Sequence, residues 1–222
     1  LASALHLEAE ETLQTSQDDV VMDWHLNPDS TDTAEGKQGH VTGTLVAVPR
    51  SEVDAHLKIL THSALLPVAA DVSCFALVNL FRTCMPAETQ NGVFCLARLG
   101  TQSADIAVVY DQAAVYPRTV FVPTGHSASP AKYFAESIKD VLAYYRFKLH
   151  LPDVDKLYLT GVVDDDAQGI IEGAIDVPVE RWDPLAQVHG MSRRLARQLA
   201  EADQPARAGV AVAMGLALRG DC

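Results

Sequence analysis

The sequence is poor in basic residues. It carries 17 Lys and Arg against 29 Asp and Glu, which gives a formal net charge of −12 over 222 residues. Nucleic acids and anionic lipid surfaces are bound mainly through clustered Lys and Arg, so this balance argues against either as a general partner. The one basic cluster is Arg193, Arg194 and Arg197. It is explained either as a solvated helix face or as a local docking patch.

Cysteines and long apolar runs are scarce as well. The four cysteines, Cys74, Cys84, Cys95 and Cys222, form no Cys-x-x-Cys pair and have no His at zinc-ligand spacing. The apolar patterns around the first three predict reduced, buried thiols of the kind found in the cytosol. No apolar run reaches the roughly 18 to 20 residues of a membrane span, and the amino end lacks a signal-peptide pattern. We therefore expect no direct insertion into a membrane.

What the sequence does contain is the composition of a globular α/β chain, with 48% hydrophobic and 21% charged residues. Apolar periodicity and turn signals predict a first group of elements. They are a helix at Leu1–Gln14, a strand at Asp19–Leu26, a loop at Asn27–Gly39, a strand at His40–Val48, a helix from Pro49 to about Ser63, and a short strand at Pro67–Asp71. Because the chain has no initiator Met and starts inside a predicted helix, we expect it to be a fragment.

A second group of elements follows the same signals. They are a buried helix at Ser73–Thr83, three strands in meander order at Gly92–Leu99, Ala104–Tyr110 and Ala114–Val122, a helix at Ser129–Leu149, and a final helix at Ala208–Gly220.

The stretch from Lys156 onward predicts a strand–helix–strand unit. A strand at Lys156–Thr160 is stopped by Gly161, a helix follows at Ala167–Ala174, and a second strand lies at Val177–Arg181. Two parallel strands joined by a helix place the end of the first strand and the start of the helix at one edge, where α/β proteins usually bind ligands. We therefore expect a site near Thr160 and Gly161.

Two constellations leave alternatives open. Asp164, Asp165 and Asp166 follow the strand, where they supply either magnesium ligands or a helix cap with acids at the positive helix end. Trp24 and His25 lie in a strand-like run beside a polar loop. Trp24 is either a core or groove aromatic, or the pair marks a peptide-binding edge.

Several motifs resemble the PilM family of type IV pilus assembly proteins, which belongs to the actin-like ATPase superfamily and includes FtsA as a relative. They are VVMDW from Val20, VAVPRSEVDAHLKIL from Val46, DVSCFALVNLF from Asp71, VPV from Val177, the Asp183-Pro184 turn, and AMGLALR from Ala213. The resemblance implies a mixed α/β fold of actin-like, ribonuclease H-like type, with a mixed sheet flanked by helices. It implies a small side subdomain at residues 1–70 and an actin-like subdomain at residues 71–222. The second large subdomain of the family is reduced or missing, because only Val122 to Ala128 separate the meander from the next helix.

The nucleotide motifs of the family are altered here. The family's adenosine-binding turn has a Thr followed by glycines, whereas Thr160-Gly161 is followed by Val162 and Val163. In its second phosphate loop an acid orients magnesium, and here Ala97 or Arg98 takes the place of that acid, although Gly100 is kept. The first phosphate loop is missing from this sequence. We expect neither a cofactor nor catalysis by this chain.

The resemblance implies a cytoplasmic scaffold, peripheral to the inner membrane, in a type IV pilus or type II secretion platform. Its expected partner is the cytosolic tail of a bitopic inner-membrane protein, bound near Trp24 and His25 among residues 20–26 and 42–60. No nucleic acid is expected, and self-association stays open. The alternative is a switch or slow ATPase that uses ATP and magnesium, with the nucleotide held by Arg98, Gly100, Thr101, Thr160 and Gly161. A sugar or acyl kinase is less favoured, because no catalytic Asp is visible.

Overall fold

The chain forms two units, Leu1–Ala70 and Asp71–Cys222. In the computed structural model the described residues are 7, 19–26, 43–85, 92–110, 113–123, 129–149, 152–188 and 190–219. Within these residues, no helix combines the length and the apolar character that crossing a membrane requires.

The first unit contains a β-hairpin followed by a helix. Strand β1 (Val20–Leu26) pairs antiparallel with β2 (Gly43–Pro49), so that Val20 faces Pro49 and Leu26 faces Gly43. Helix α1 (Arg50–His62) starts directly after Pro49. These elements confirm the two predicted strands and the predicted helix.

The predicted strand at Pro67–Asp71 is wrong, because this segment has no regular structure. A strand needs a neighbour for its backbone hydrogen bonds, and Pro67 has no N–H to contribute to such a ladder. Val68 is almost fully exposed, so no apolar packing replaces that ladder. The predicted helix at Leu1–Gln14, apart from helical Leu7, and the predicted loop at Asn27–Gly39 lie outside the described residues.

The second unit contains a five-stranded sheet in the order β5-β4-β3-β6-β7. Its strands are β3 (Phe94–Leu99), β4 (Ser103–Tyr110), β5 (Ala113–Phe121), β6 (Lys156–Gly161) and β7 (Val179–Arg181). The first three form an antiparallel meander, whereas β6 runs parallel to both β3 and β7. The predicted meander and the predicted parallel pair are both confirmed.

Six helices of the described chain accompany this sheet. They are α2 (Ser73–Cys84), α3 (Pro130–Tyr144, continued by a π-helical turn at Tyr145–Leu149), α4 (Asp165–Ala174), α5 (Pro184–Gln187), α6 (Arg193–Glu201) and α7 (Gln204–Ala217). Successive strand residues point to opposite faces of the sheet. Residues of both faces are buried by helices, so the sheet lies between two layers. Cys95, Ala97 and Leu99 pack against α3 and α4, whereas Phe94 and Leu96 pack against α2 and the carboxyl-terminal helices.

Helix α7 crosses α2 at very short range. A Cβ atom at Gly215 would lie 1.9 Å from the backbone oxygen of Ala76, so only glycine permits this approach. Gly215 belongs to the AMGLALR motif, and helix packing is therefore the physical role of that glycine.

The cysteine prediction is confirmed for two of the thiols. Cys74 and Cys95 are buried and free, while Cys84 is half-buried. Burial raises the pKa of Cys95 to about 12, so its thiol stays protonated at neutral pH. Cys222 lies outside the described residues.

Candidate functional site

The site expected at the edge of the sheet is formed where β3 and β6 end. These strands run parallel, and in their register Leu99 lies beside Gly161. The turn that begins at Gly100 and the turn that begins at Gly161 therefore leave the sheet side by side. The structure thus brings Arg98, Gly100, Thr101 and Thr160 to the same edge as Gly161.

A row of four polar residues crosses the sheet just before this edge. Thr119 faces Asp105, Asp105 faces Arg98, and Arg98 faces Thr160 on four neighbouring strands. We call these four residues the polar row. By strand alternation they lie on the sheet face that α2 covers.

Asp105 is the centre of the polar row and is completely buried, at 0% exposure. Its Oδ2 accepts two hydrogen bonds from the Arg98 guanidinium, one of them from Nε at 2.8 Å. Its Oδ1 accepts one hydrogen bond from Thr119 Oγ1 at 2.8 Å and another from Ser73 Oγ at 3.2 Å. A carboxylate has about four acceptor positions, so these four bonds occupy all of them. Asp105 has no lone pair left for a magnesium ion or its waters.

Arg98 is the partner of this carboxylate. Its side chain is only 15% exposed, and its charge is neutralised by Asp105. A cation that holds phosphate must direct free N–H groups and a net charge at the ligand. The Nε and one Nη of Arg98 donate instead into the sheet.

The Gly100 turn is closed on itself. The amide of Gly100 donates to the carbonyl oxygen of Ser103 at 2.7 Å, and a Cβ atom on Gly100 would lie 2.9 Å from that oxygen. A phosphate loop binds anions with backbone amides that have no internal partner. The absence of a side chain at Gly100 therefore allows this tight turn, and Thr101 beside it is exposed.

Gly161 also has a structural role. Its φ is +93°, and a Cβ atom would lie 2.1 Å from the carbonyl oxygen of Leu99. The next amide, from Val162, donates to the same oxygen at 2.8 Å. Glycine is required here because the chain turns in the left-handed region directly against β3.

The acidic turn after β6 caps helix α4. Asp164 Oδ1 accepts from the amide of Ala167 at 2.7 Å, and Asp165 and Asp166 occupy the first helical turn. Of the two alternatives for this cluster, the cap is the one that the structure contains. Among the described residues, no group of three His, Cys, Asp or Glu side chains is arranged to hold a metal ion.

A small cavity of about 140 Å³ opens beside Thr160 and Gly161. Its other walls come from the start of α5 and from α7, and include Trp182, Asp183 and Arg207. Arg207 Nη2 donates to Asp183 Oδ2 at 2.5 Å, which closes one side of the cavity. Small-molecule sites usually have volumes of roughly 300 to 1,000 Å³, so this cavity is smaller than most of them.

Cys74 lies next to the polar row but is not a nucleophile. Its Sγ lies 3.4 Å from the carbonyl oxygen of Arg118 and 3.7 Å from Thr119 Oγ1. Burial, and then the negative charge of Asp105, raises the pKa of Cys74 to about 12. The thiol is therefore protonated and serves as a weak hydrogen-bond donor inside the core.

The predicted partner-binding residues lie in the first unit, on strand β1. Trp24 pairs in register with Leu45 and is 38% exposed, so it is not a core residue. His25 pairs with Thr44. The second tryptophan of the chain, Trp182, belongs to the second unit, where it is buried against Phe81 and donates from Nε1 to Gln187 Oε1 at 3.0 Å.

Two charged pairs were missed by the sequence reasoning. Asp105 stands alone in an apolar strand, and a tight turn at Gly100–Ser103 places it opposite Arg98. Counting residues outward from this turn in the sequence would have placed Arg98 opposite Asp105. The Asp183–Arg207 pair joins α5 to α7, and no local pattern predicts it.

Comparison with known proteins gives a family match over more than half of the chain. The family model described as "Type IV pilus assembly protein PilM" matches residues 1–122. No curated protein sequence matches the chain.

Solved structures extend the similarity to the whole fold. The structure of a "PilM-PilN type IV pilus biogenesis complex" covers 99% of this chain and 72% of its own, with a TM-score of 0.67 and 20% identity. A protein of Bacteroides thetaiotaomicron with an actin-like ATPase fold and unknown function covers 82% of this chain and 61% of its own, with a TM-score of 0.49 and 12% identity. The expected fold class, a mixed sheet flanked by helices, is confirmed, and the match to the PilM-PilN structure shows a shared fold.

Proposed function

Because this chain belongs to the family of type IV pilus assembly protein PilM, we propose that it is a non-catalytic scaffold that binds the cytosolic tail of an inner-membrane partner. The platform is of the type IV pilus or secretion kind, and the partner is a bitopic protein of the PilN kind. On this proposal the chain acts in the cytoplasm, at the surface of the inner membrane. It has a role in assembly and performs no chemistry.

The non-catalytic part of the proposal is supported by Asp105, whose four acceptor positions all receive hydrogen bonds from protein side chains. A working site of this superfamily needs an acid that is free to orient magnesium and donors that are free to hold phosphate. Here the acid and the neighbouring cation, Arg98, satisfy each other inside the sheet. The Gly100 amide is likewise used within its own turn.

Strand β1 supports the tail-binding part. Trp24 presents a partly exposed indole on this strand, and aromatic side chains of this kind are frequent anchors in interfaces. Within the described residues, β1 pairs with β2 along its whole length on one edge. No other strand of the described residues pairs with β1 on its second edge, where an extended tail would add as in β-strand addition.

A binding assay tests the tail-binding proposal. The probe is a fluorescein-labelled peptide with the sequence of the cytosolic tail of the PilN-kind protein from the same genome. We expect Trp24→Ala to weaken the affinity about tenfold or more, since a buried aromatic anchor contributes roughly 2 kcal/mol. The matched control is Thr101→Asp, which adds a charge at the exposed Gly100 turn and leaves tail binding unchanged. Equal affinities for the parent chain and Trp24→Ala would refute this placement of the tail.

One observation favours the alternative, an ATP-binding switch. The Gly100 and Gly161 turns lie side by side, and a cavity opens at Thr160 beside them. Thermal unfolding with and without magnesium ATP separates the two functions. Saturation at about 100 times the dissociation constant adds roughly 2.7 kcal/mol, or about 5 to 10 °C for a chain of this size. A shift of that size that Thr101→Asp abolishes would establish the switch, whereas the scaffold proposal expects no shift.

A further inference from the structure

A groove of about 460 Å³ lies between α5, α6 and α7, on the far side of the Asp183–Arg207 pair from the small cavity. We call it the α6 groove. Its apolar lining includes Leu185, Val188, Met191, Ala196, Leu199 and Ala200. All of these residues belong to the second unit.

One end of the α6 groove is rigid and electrically neutral. Arg207 donates from Nη1 to the carbonyl oxygen of Leu199 at 2.8 Å and from Nη2 to Asp183 Oδ2 at 2.5 Å. With both ends of the guanidinium held, this wall does not supply a free charge to a ligand. The volume of the groove falls within the range of roughly 300 to 1,000 Å³ that binding pockets usually have.

The rim of the groove along α6 is basic. Arg193, Ala196, Arg197 and Ala200 follow the helical spacing of three and four, so the two arginines continue the stripe whose alanines line the groove. Arg197 pairs with Glu201 at 3.0 Å. Among the side chains that the structure describes, no carboxylate pairs with Arg193 or Arg194, and both arginines are exposed. This rim is a local positive region in a chain of net charge −12.

From this arrangement we propose that the α6 groove is a docking site for an acidic segment of a protein partner. The segment inserts an apolar side chain between α5 and α6 and places its carboxylates against Arg193 and Arg197, the two arginines that continue the groove-lining stripe. Charge complementarity selects an acidic segment, because the rest of this acidic chain repels it and the rim attracts it.

A concave site also favours a peptide over a membrane. Helices that bind membranes present a broad apolar face. Leu195 is the one large hydrophobic residue of α6 that is prominently exposed in the described structure. The proposal goes beyond the tail-binding function, since it uses none of the residues of β1, β2 or α1.

Fluorescence anisotropy with the full chain tests the α6 groove. The probes are twelve-residue fluorescein-labelled peptides in which glutamates surround two leucines spaced by two, three or four residues, together with matched peptides that carry Lys in place of Glu. We expect a Glu-Leu peptide to bind and its Lys-Leu match not to bind. The double variant Arg193→Glu and Arg197→Glu should weaken this binding about tenfold, since reversing two rim charges replaces attraction by repulsion.

The matched control is Lys132→Glu with Lys139→Glu, which changes the net charge equally on the exposed side of α3, across the sheet. It should leave the affinity unchanged. Ala200→Trp, which fills the groove, should also weaken binding, and circular dichroism checks that this variant folds. Absence of binding by every Glu-Leu peptide, or equal losses in the Arg and Lys variants, would overturn the proposal. Binding to phosphatidylglycerol vesicles that only the Arg variant loses, without peptide binding, would assign the surface to membranes instead.

Discussion

Removing the Asp105 carboxylate is the most direct test of the conclusion that Asp105 and Arg98 are hydrogen-bonded to neighbours in the protein and not available to a ligand. In Asp105→Ala the Arg98 guanidinium, 15% exposed, keeps its charge and loses its anion. The hydroxyls of Ser73 and Thr119 lose their acceptor as well. Breaking a buried ion pair on one side typically costs about 3 to 5 kcal/mol of unfolding free energy. For a chain of this size that loss corresponds to a decrease of the melting temperature on the order of 10 °C.

The double variant Arg98→Leu with Asp105→Leu provides the contrast. Replacing both members of a buried pair by apolar residues is often close to neutral, because no charge stays behind without a partner. We expect a loss of about 1 to 2 kcal/mol, mainly from the two hydroxyls. Arg98→Leu alone should cost about as much as Asp105→Ala, since it strands the carboxylate. With Asp105→Leu as the second single variant, the parent chain, the two single Leu variants and the double variant form a double-mutant cycle, which gives the coupling energy directly.

The assay must report on the second unit alone, because a chain with two units need not unfold in one step. Trp182 is buried in the second unit and Trp24 lies in the first, so a Trp24→Phe background assigns the fluorescence to the second unit. Urea titrations then give the unfolding free energies. A loss below about 1 kcal/mol in Asp105→Ala would mean that the pair behaves like an exposed ion pair. In that case Arg98 would be free to serve a ligand, and the case against a nucleotide would fail.

Three further predictions concern stability. Gly161→Ala should lower the unfolding free energy by roughly 2 to 4 kcal/mol, because Gly161 has a φ of +93° and its Cβ would collide with Leu99. Gly169→Ala, in an open helical position, should raise the unfolding free energy by about 0.5 to 1 kcal/mol. Urea titration of the two variants compares these effects. Gly215→Ala should cost a similar 2 to 4 kcal/mol or so by forcing α7 away from α2, and a loss below about 1 kcal/mol would show that the two helices do not depend on this contact. Because the pKa of Cys95 is raised from 9.0 to about 12 on folding, its contribution is complete below pH 9 and is lost as the pH rises toward 12. Urea midpoints at pH 8 and 10.5 should therefore differ less in Cys95→Ala than in the parent chain, and equal differences would contradict the assignment.

Local patterns in the sequence were sufficient for most elements of the fold. Short apolar runs separated by turn signals predicted the meander, and helical spacing predicted α1, α2 and α3. The short strand at Pro67–Asp71 failed because β propensity alone does not supply a neighbouring strand. The first unit therefore has two strands in its described part.

The candidate site depended on long-range pairing that local patterns do not encode. Two strands and helix α3 separate Arg98 from Thr160 along the chain. Only the parallel register of β3 and β6 shows that the Gly100 and Gly161 turns are neighbours. Asp105 was overlooked because a single acid in an apolar strand gives no periodic signal. Its partner on β3 became visible only when the hairpin register was known.

The direct opposition of Arg98 and Asp105 has an evolutionary consequence. A change of Arg98 to an acid would place two carboxylates opposite each other inside the sheet. A change of Asp105 alone would leave a cation without its partner. Each single step is therefore costly, so the two positions can change only together. Once such a pair has formed, each of the two positions restricts the residues that the other can accept.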